Sequence, residues 1–348
     1  MKKELLHLFP DELKQILTER GIPGYRAEQI TQFAYAYVPF EEMSNLPKDL
    51  RLKLSEEFTV RTAEAEATLV SKDGTVKYLT ALPDGNRVEC VFMRHDYGDT
   101  LCLSTQVGCR MGCKFCASGQ YGLVRNLSAA EMLGEVLLVN SLQGGTPKKR
   151  AITNLVLMGC GEPFDNYDNT VRFLRLVSQK EGINISCRNI SLSTCGLLDR
   201  LEQFINEGLP VTLAISLHAA IDAKRKEVMP IANKYTVQQT AEAAKHYANA
   251  TGRRVIFEYA LMHGFNDTEE DISAIKKLTS GFSCHVNLIP LNEVKESSLK
   301  GVTRAQAQEF LQKLTKRGVS ATLRRTTGAD ISGSCGQLRQ KYMDGDKK

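Results

Sequence analysis

The chain has 348 residues, with 45 lysines and arginines against 40 aspartates and glutamates, for a formal net charge of +5. Hydrophobic residues make up 42% and charged residues 24%, the balance of an ordinary folded chain and not of a disordered or fibrous one. No stretch approaches the ~20 consecutive apolar residues of a bilayer span. Met1-Lys-Lys-Glu4 runs on to Asp11 without the apolar core of a secretion signal, so a cytoplasmic protein with no membrane partner is expected.

At roughly 150 residues per domain the length suggests two domains, although a single α/β barrel absorbs about 250. Residues 1–60 read as a helical module. Asp11-Glu-Leu-Lys-Gln-Ile-Leu17 has helical apolar spacing and stops at Gly21-Ile-Pro-Gly24; further helices are expected over 26–37 and 47–58. Residues 61–98 change character to a β-meander linker, with short β-type runs broken by Lys72-Asp-Gly74 and Pro83-Asp-Gly85 turns.

From residue 99 to 348 strand-like runs at 100–105, 154–158, 189–193, 211–216, 255–260 and 286–290 alternate with helical segments, and a last run lies near 321–325. Ser128 with Glu131, and Thr236 with Gln239, have the spacing of helix-opening capping boxes. Repeated strand–helix alternation predicts parallel βαβ units and an α/β fold, a partial (βα)6 barrel. In such barrels the chemistry sits at the C-terminal ends of the strands.

Ten cysteines are too few for a disulfide scaffold, and five of them (Cys90, Cys102, Cys109, Cys113 and Cys116) fall within 27 residues. Cys109-Arg-Met-Gly-Cys113-Lys-Phe-Cys116 can present three thiolates from one loop. Short cysteine spacings of this kind hold iron–sulfur clusters, and three ligands leave one iron of a four-iron cluster open. The competing reading is a zinc knuckle with Cys102 as a fourth ligand, which makes a non-catalytic RNA-binding protein.

The cysteine spacing resembles that of the radical S-adenosylmethionine (SAM) enzymes. Ordered matches then run from Gly24-Tyr-Arg-Ala27 to Cys335-Gly-Gln-Leu338. They include Ser71-Lys-Asp-Gly-Thr-Val-Lys77, Arg87-Val-Glu89, Leu103-Ser-Thr-Gln-Val-Gly-Cys109, Met158-Gly-Cys-Gly-Glu-Pro163, Ala214-Ile-Ser-Leu-His218 and Asn287-Leu-Ile-Pro-Leu-Asn292. The chain is thereby similar to the RlmN/Cfr family of RNA adenine methyltransferases, nearer its RlmN branch.

That resemblance implies a [4Fe-4S] cluster on Cys109, Cys113 and Cys116, and SAM held by Gly161, Glu162, Ser193, Ser216, Leu217, His218 and Asn292. It implies that one SAM methylates Cys335 and that a second is cleaved at the cluster to activate that methyl group. Cys102 would then resolve the protein–RNA adduct through a transient disulfide with Cys335, while Glu89 or a cysteine takes the ring proton. The implied substrates are 23S rRNA near the peptidyl-transferase region and the adenosine 3′ of the tRNA anticodon, methylated at C2. Cfr-type methylation at C8, which confers antibiotic resistance, uses the same residues. An electron donor such as flavodoxin or ferredoxin is implied, and a monomer is expected. The chain departs from the family pattern at Cys160, usually apolar, and at Ser332-Gly-Ser334, usually Asp-Ala-Ala.

RNA binding is written faintly, because +5 is only mildly basic. Lys148-Lys-Arg150, Lys224-Arg-Lys226, Arg253-Arg254 and Arg324-Arg325 are candidate phosphate contacts, and the helical module is a candidate docking surface. The target base would have to be extruded into the barrel mouth.

Overall fold

A computed structural model describes residues 2–119, 122–291, 299–325 and 327–331. The first sixty residues form β1 (Lys3–Glu4), α1 (Pro10–Glu19), α2 (Tyr25–Tyr35), α3 (Lys48–Glu57) and β2 (Phe58–Thr59). Pro10 opens α1, where its missing N–H costs nothing, and Leu13 and Leu17 turn its apolar stripe inward. The module packs directly on the core. The Tyr37 hydroxyl accepts the Thr62 and Ala63 N–H groups at 3.1 and 2.9 Å, and Thr62 Oγ1 donates to the Ala130 carbonyl at 2.9 Å. One continuous hydrophobic core runs from Leu5 to Val319.

The next strands are β3 (Glu64–Val70), β4 (Val76–Ala81), β5 (Arg87–Met93) and β6 (Thr100–Cys102). A hairpin, β7 (Gln106–Gly108) and β8 (Leu123–Asn126), follows. The repeating units then run α4 (Ala129–Leu142), β9 (Asn154–Leu157), α5 (Tyr167–Val177), β10 (Ile190–Thr194), α6 (Leu198–Ile205), β11 (Thr212–Ser216), α7 (Asp222–Val228) and α8 (Val237–Thr251). They end with β12 (Val255–Leu261), α9 (Glu269–Leu278), β13 (Cys284–Pro290), α10 (Arg304–Lys316) and β14 (Ala321–Leu323). Both expected capping boxes form. Ser128 Oγ accepts the Glu131 N–H at 3.0 Å and Thr236 Oγ1 that of Gln239 at 3.1 Å, each answered by the third residue's side chain.

Ten strands make one sheet in the order β14-β13-β12-β11-β10-β9-β6-β5-β4-β3. From β6 through β14 the pairing is parallel, as the strand–helix alternation requires; β3, β4 and β5 continue it as an antiparallel extension. The stretch that reads as a meander is therefore hydrogen-bonded into the same sheet as the core. Among the described residues no helix is long and apolar enough to cross a membrane.

Register carries one face across this sheet. Val91 lies opposite Cys102, Cys102 opposite Val156, Val156 opposite Ser191, and Ser191 opposite Thr212. Because side chains alternate along a strand, Lys77, Glu89, Ser193, Ser216, Glu258 and Asn287 share that face. The opposite face, with Leu155, Leu192, Leu213, Phe257 and Val286, packs into the apolar core.

Candidate active site

The cysteine motif does not directly follow the first parallel strand. β6 ends at Cys102, and the motif is the loop of the β7–β8 hairpin. Cys109 N–H donates to the Gly122 carbonyl at 2.9 Å, closing that loop. Gly108 has φ +83°, and a Cβ there would fall 2.0 Å from the Gly122 oxygen, so only glycine fits. Cys113 and Phe115 pack with Cys195, Val228, Met229, Ala260 and Met262 in an apolar pocket.

Burial pushes the Cys109 thiol up to about 12, with the neighbouring Cys116, Glu162 and Cys160 adding to the rise. Cys113 moves the same way, first from burial and then from Cys116 and Cys109. The three thiols thus lie near enough to oppose one another's ionisation. A bound metal reverses that penalty, because a coordinating thiol is deprotonated outright. Among the described residues no three His, Cys, Asp or Glu side chains converge on a single-ion position. Three mutually coupled thiols from one loop, facing an apolar pocket, are a donor set that fits an iron–sulfur cluster.

Next to this loop stands the end of β9. Gly161 has φ +114°, and a Cβ there would come within 2.7 Å of Gln106 Cβ and Thr105 Oγ1. The residue after it, Glu162, is buried. Its Oε2 accepts the Cys195 N–H at 2.7 Å and its Oε1 the Phe164 N–H at 3.1 Å. Burial raises its pKa, and the hydrogen bonds from Cys195 and Thr194 partly oppose the rise. Glu162 ties the end of β9 to that of β10, and a carboxylate with two acceptor oxygens keeps room for an ammonium donor. A second tie holds the cysteine loop itself. Asp165 accepts Arg110 Nε at 2.9 Å and Gln106 Nε2 at 2.8 Å, while Gln106 Oε1 accepts the Glu162 N–H at 2.9 Å.

Ser193 and Ser216 are half-buried on the inner face near the ends of β10 and β11. Leu217 and His218 both donate their N–H groups to the Glu258 carbonyl, at 3.0 and 3.2 Å. His218 takes the left-handed conformation with φ 52°. Its Nδ1 accepts the Ala260 N–H at 3.0 Å, which assigns the ring proton to Nε2. Its edge meets Phe115 of the cysteine loop with ring centroids 4.5 Å apart. Burial, and secondarily Arg225, pushes its pKa down to about 3, so it stays neutral.

Arg225 corrects one expectation. It is 0% exposed, so it cannot touch phosphate; its guanidinium donates to the Leu217, Cys195 and Ser216 carbonyls at 3.1, 2.9 and 3.2 Å. Its neighbour Lys224 pairs with the buried Asp271 at 2.7 Å.

The antiparallel side supplies a different set. Glu89, which would point to solvent if β5 were a surface strand, is buried and pairs with Lys77 Nζ at 2.8 Å. Lys77 lies opposite Val91, and Val91 opposite Cys102, so the ion pair and the thiol share one face. Cys102 packs with Val91, Met93, Val156 and Met158. Ser104, opposite Glu89, donates Oγ to the Glu89 carbonyl at 2.8 Å.

The structure therefore gathers Cys109, Cys113, Cys116, Gly161, Glu162, Leu217 and His218 around one loop system. Cys102 and Glu89 stand on the same sheet face as Ser193 and Ser216. Cys335 and Asn292 lie outside the described residues. Sequence reasoning missed Asp165 and the Lys77–Glu89 pairing, and it read Arg225 as a surface cation; a lysine and a glutamate on neighbouring strands are the one signal available for the pair.

Comparison with known proteins identifies the fold and the family. The profile of the Radical SAM superfamily matches residues 103–276, and that of the ribosomal RNA large subunit methyltransferase N-terminal domain matches residues 3–60. A probable dual-specificity RNA methyltransferase RlmN of Clostridium perfringens (strain 13 / Type A) is 49% identical over 344 residues, 98% of each chain. The protein of the same description in Alkaliphilus metalliredigens (strain QYMF) is 46% identical, covering 100% of this chain and 98% of its own. The crystal structure of a radical SAM methyltransferase from Sphaerobacter thermophilus matches with a TM-score of 0.92 at 38% identity, over 96% of this chain and 98% of that one. With family profiles over residues 3–60 and 103–276 and full-length likeness to these relatives, the chain belongs to the RlmN family of radical SAM RNA methyltransferases.

Proposed function

We propose that this enzyme methylates C2 of an adenosine in the peptidyl-transferase region of 23S rRNA and of the adenosine 3′ of the tRNA anticodon, through an S-methylated Cys335. The observation that carries the thiol and acid–base chemistry is Cys102 and the Lys77-paired Glu89 on one sheet face, and the RlmN description of the relatives favours C2 over C8. The dual-specificity name of its relatives supports two RNA substrates.

In this account Cys109, Cys113 and Cys116 hold the cluster; Gly161, Glu162, Ser193, Ser216, Leu217, His218 and Asn292 hold SAM. Cluster and SAM together, when bound, supply the one-electron chemistry that activates the methyl group on Cys335. The protein's own thiols and acid do the remainder. Once the Cys335 methyl carbon is joined to C2, the adduct gives up the C2 proton to Glu89, whose charge is balanced by Lys77, together with the one electron that SAM cleavage consumed, which leaves a closed-shell thioether. The Cys102 thiolate then attacks the Cys335 sulfur. The S–CH2 bond breaks, a Cys102–Cys335 disulfide forms, and the released methylene takes up a proton to become the methyl group. A one-electron donor of flavodoxin or ferredoxin type would supply the electron for SAM cleavage, and two electrons and two protons from a dithiol reductant restore the Cys102 and Cys335 thiols.

Residues 1–60 act as the RNA-docking module, 61–98 carry the acid–base pair and 99–348 carry the radical core, in a monomer. Nucleoside mass spectrometry of rRNA and tRNA treated with the reconstituted enzyme tests the assignment. 2-Methyladenosine in both RNAs is expected; 8-methyladenosine alone rejects C2 chemistry, and protein that binds zinc without iron rejects the radical route.

A further inference from the structure

The turn Ser71-Lys-Asp-Gly-Thr75 joins β3 to β4 and needs little to form. Gly74 supplies φ +84°, and Asp73 Oδ1 accepts the Thr75 N–H at 2.9 Å. The turn nevertheless makes further bonds to a segment more than 250 residues away. Asp73 Oδ2 accepts the Gly328 N–H at 2.8 Å. Ser71 Oγ donates to Asp330 Oδ1 at 2.5 Å, and the Lys72 N–H donates to Asp330 Oδ2 at 3.2 Å. Thr327 Oγ1 lies 3.7 Å from Met93 Sδ, and Met93 packs with Cys102.

These contacts have a topological meaning. β14 and β3 are the two outer strands of the ten-stranded sheet. The chain leaving β14 is thus carried to the other side of the sheet and fastened there, in the region that bears Cys102. Cys335 follows Asp330 by five residues and Leu323 by twelve. Five residues reach at most about 18 Å.

We propose that the β3–β4 turn is an anchor for the methyl-carrying segment, with Ser71, Asp73 and Asp330 as positioning residues that hold Cys335 within reach of Cys102 and Glu89. The inference rests on the proposed pairing of Cys102 with Cys335. The anchor shortens the tether of Cys335 from twelve residues to five. Chain statistics scale effective concentration as about the −3/2 power of tether length, so losing the anchor lowers the Cys102–Cys335 effective concentration about fourfold.

The experiment measures Cys102–Cys335 disulfide formation in the cluster-free full chain, equilibrated in glutathione buffer and mapped by non-reducing peptide mass spectrometry. Each disulfide formed consumes one oxidised glutathione and releases two reduced ones. Asp330→Ala leaves the Asp73–Gly328 bond in place, so the tether lengthens from five residues to seven and the effective concentration is expected to fall about 1.7-fold, with an unchanged urea midpoint because Asp330 is exposed; adding Asp73→Ala releases the segment fully and brings the loss to about fourfold. Asp330→Asn, which keeps an acceptor oxygen, recovers at least half of the loss. If wild type forms the disulfide and Asp330→Ala matches it, the anchor is wrong and the thiol pairing stands. If wild type forms no such disulfide, the pairing fails and the anchor falls with it.

Discussion

The two halves of the sheet build function differently. On the parallel side, from β9 to β13, the functional groups sit at strand ends and in the loops beyond, as Gly161-Glu162 and Leu217-His218 do. On the antiparallel side, Lys77 and Glu89 lie within β4 and β5, facing the interior as a buried ion pair with side-chain exposures of 0% and 3%. Loop-borne groups are held by backbone hydrogen bonds from neighbouring strands, so their positions depend on how the strand ends are tied together. Strand-borne groups are held by register, and their cost is desolvation of charge. The parallel half is accordingly the more sensitive in cofactor binding, and the antiparallel half in stability and adduct chemistry.

The largest expected effect comes from the cysteine loop. Cys109→Ala removes a cluster ligand and is expected to abolish iron binding and 5′-deoxyadenosine formation, with folding retained; iron and sulfide analysis with product chromatography checks it. Cys102→Ala comes next. It leaves cluster and SAM residues intact but removes the resolving thiol, so turnover falls at least about 100-fold and protein–RNA adduct accumulates, visible on denaturing gels. Equal turnover by that variant removes Cys102 from the mechanism.

Lys77→Met tests the other half of the comparison. Leaving Glu89 buried without its cation costs about 3–5 kcal/mol of stability, and Lys77→Met with Glu89→Leu recovers much of that loss, although it is inactive. Urea unfolding of wild type and the two variants reads both numbers. Gly161→Ala is expected to cost roughly 1–3 kcal/mol from backbone strain at φ +114° and to weaken SAM binding, measured by equilibrium dialysis.

The last effect is a slope, small near neutral pH. His218 has a folded pKa near 3 against an ordinary 6.5, so below pH 6.5 the unfolded chain takes up a proton that the folded chain refuses. Stability is then lost as pH falls from 6.5 toward 3, by up to about 1.4 kcal/mol per pH unit from this residue. His218→Gln is expected to flatten the acid limb of the stability curve by that amount; an unchanged limb contradicts a neutral, buried ring.

The same contrast explains what could be read from the sequence. Strand–helix alternation predicts the parallel sheet, and the capping boxes at Ser128 and Thr236 open α4 and α8 because short-range side-chain bonds need no tertiary knowledge. The strand-end positions of Glu162 and His218 follow from the barrel rule. The antiparallel half was harder to read. A lone glutamate in an alternating run looks solvent-facing, and only the register of β4, β5 and β6 brings Lys77, Glu89 and Cys102 to one face. Arg225 reads as one of three surface cations until its guanidinium is found among three carbonyls. The β7–β8 hairpin is hidden because its strands are only three and four residues long.

The claim that the two halves meet in one reaction is tested most directly on the adduct trapped by Cys102→Ala. Nuclease digestion followed by tandem mass spectrometry should give a single adenosine joined through one methylene carbon from its C2 to the Cys335 sulfur. Attachment at C8, attachment to any other residue, or the absence of a covalent adduct under turnover conditions contradicts the account.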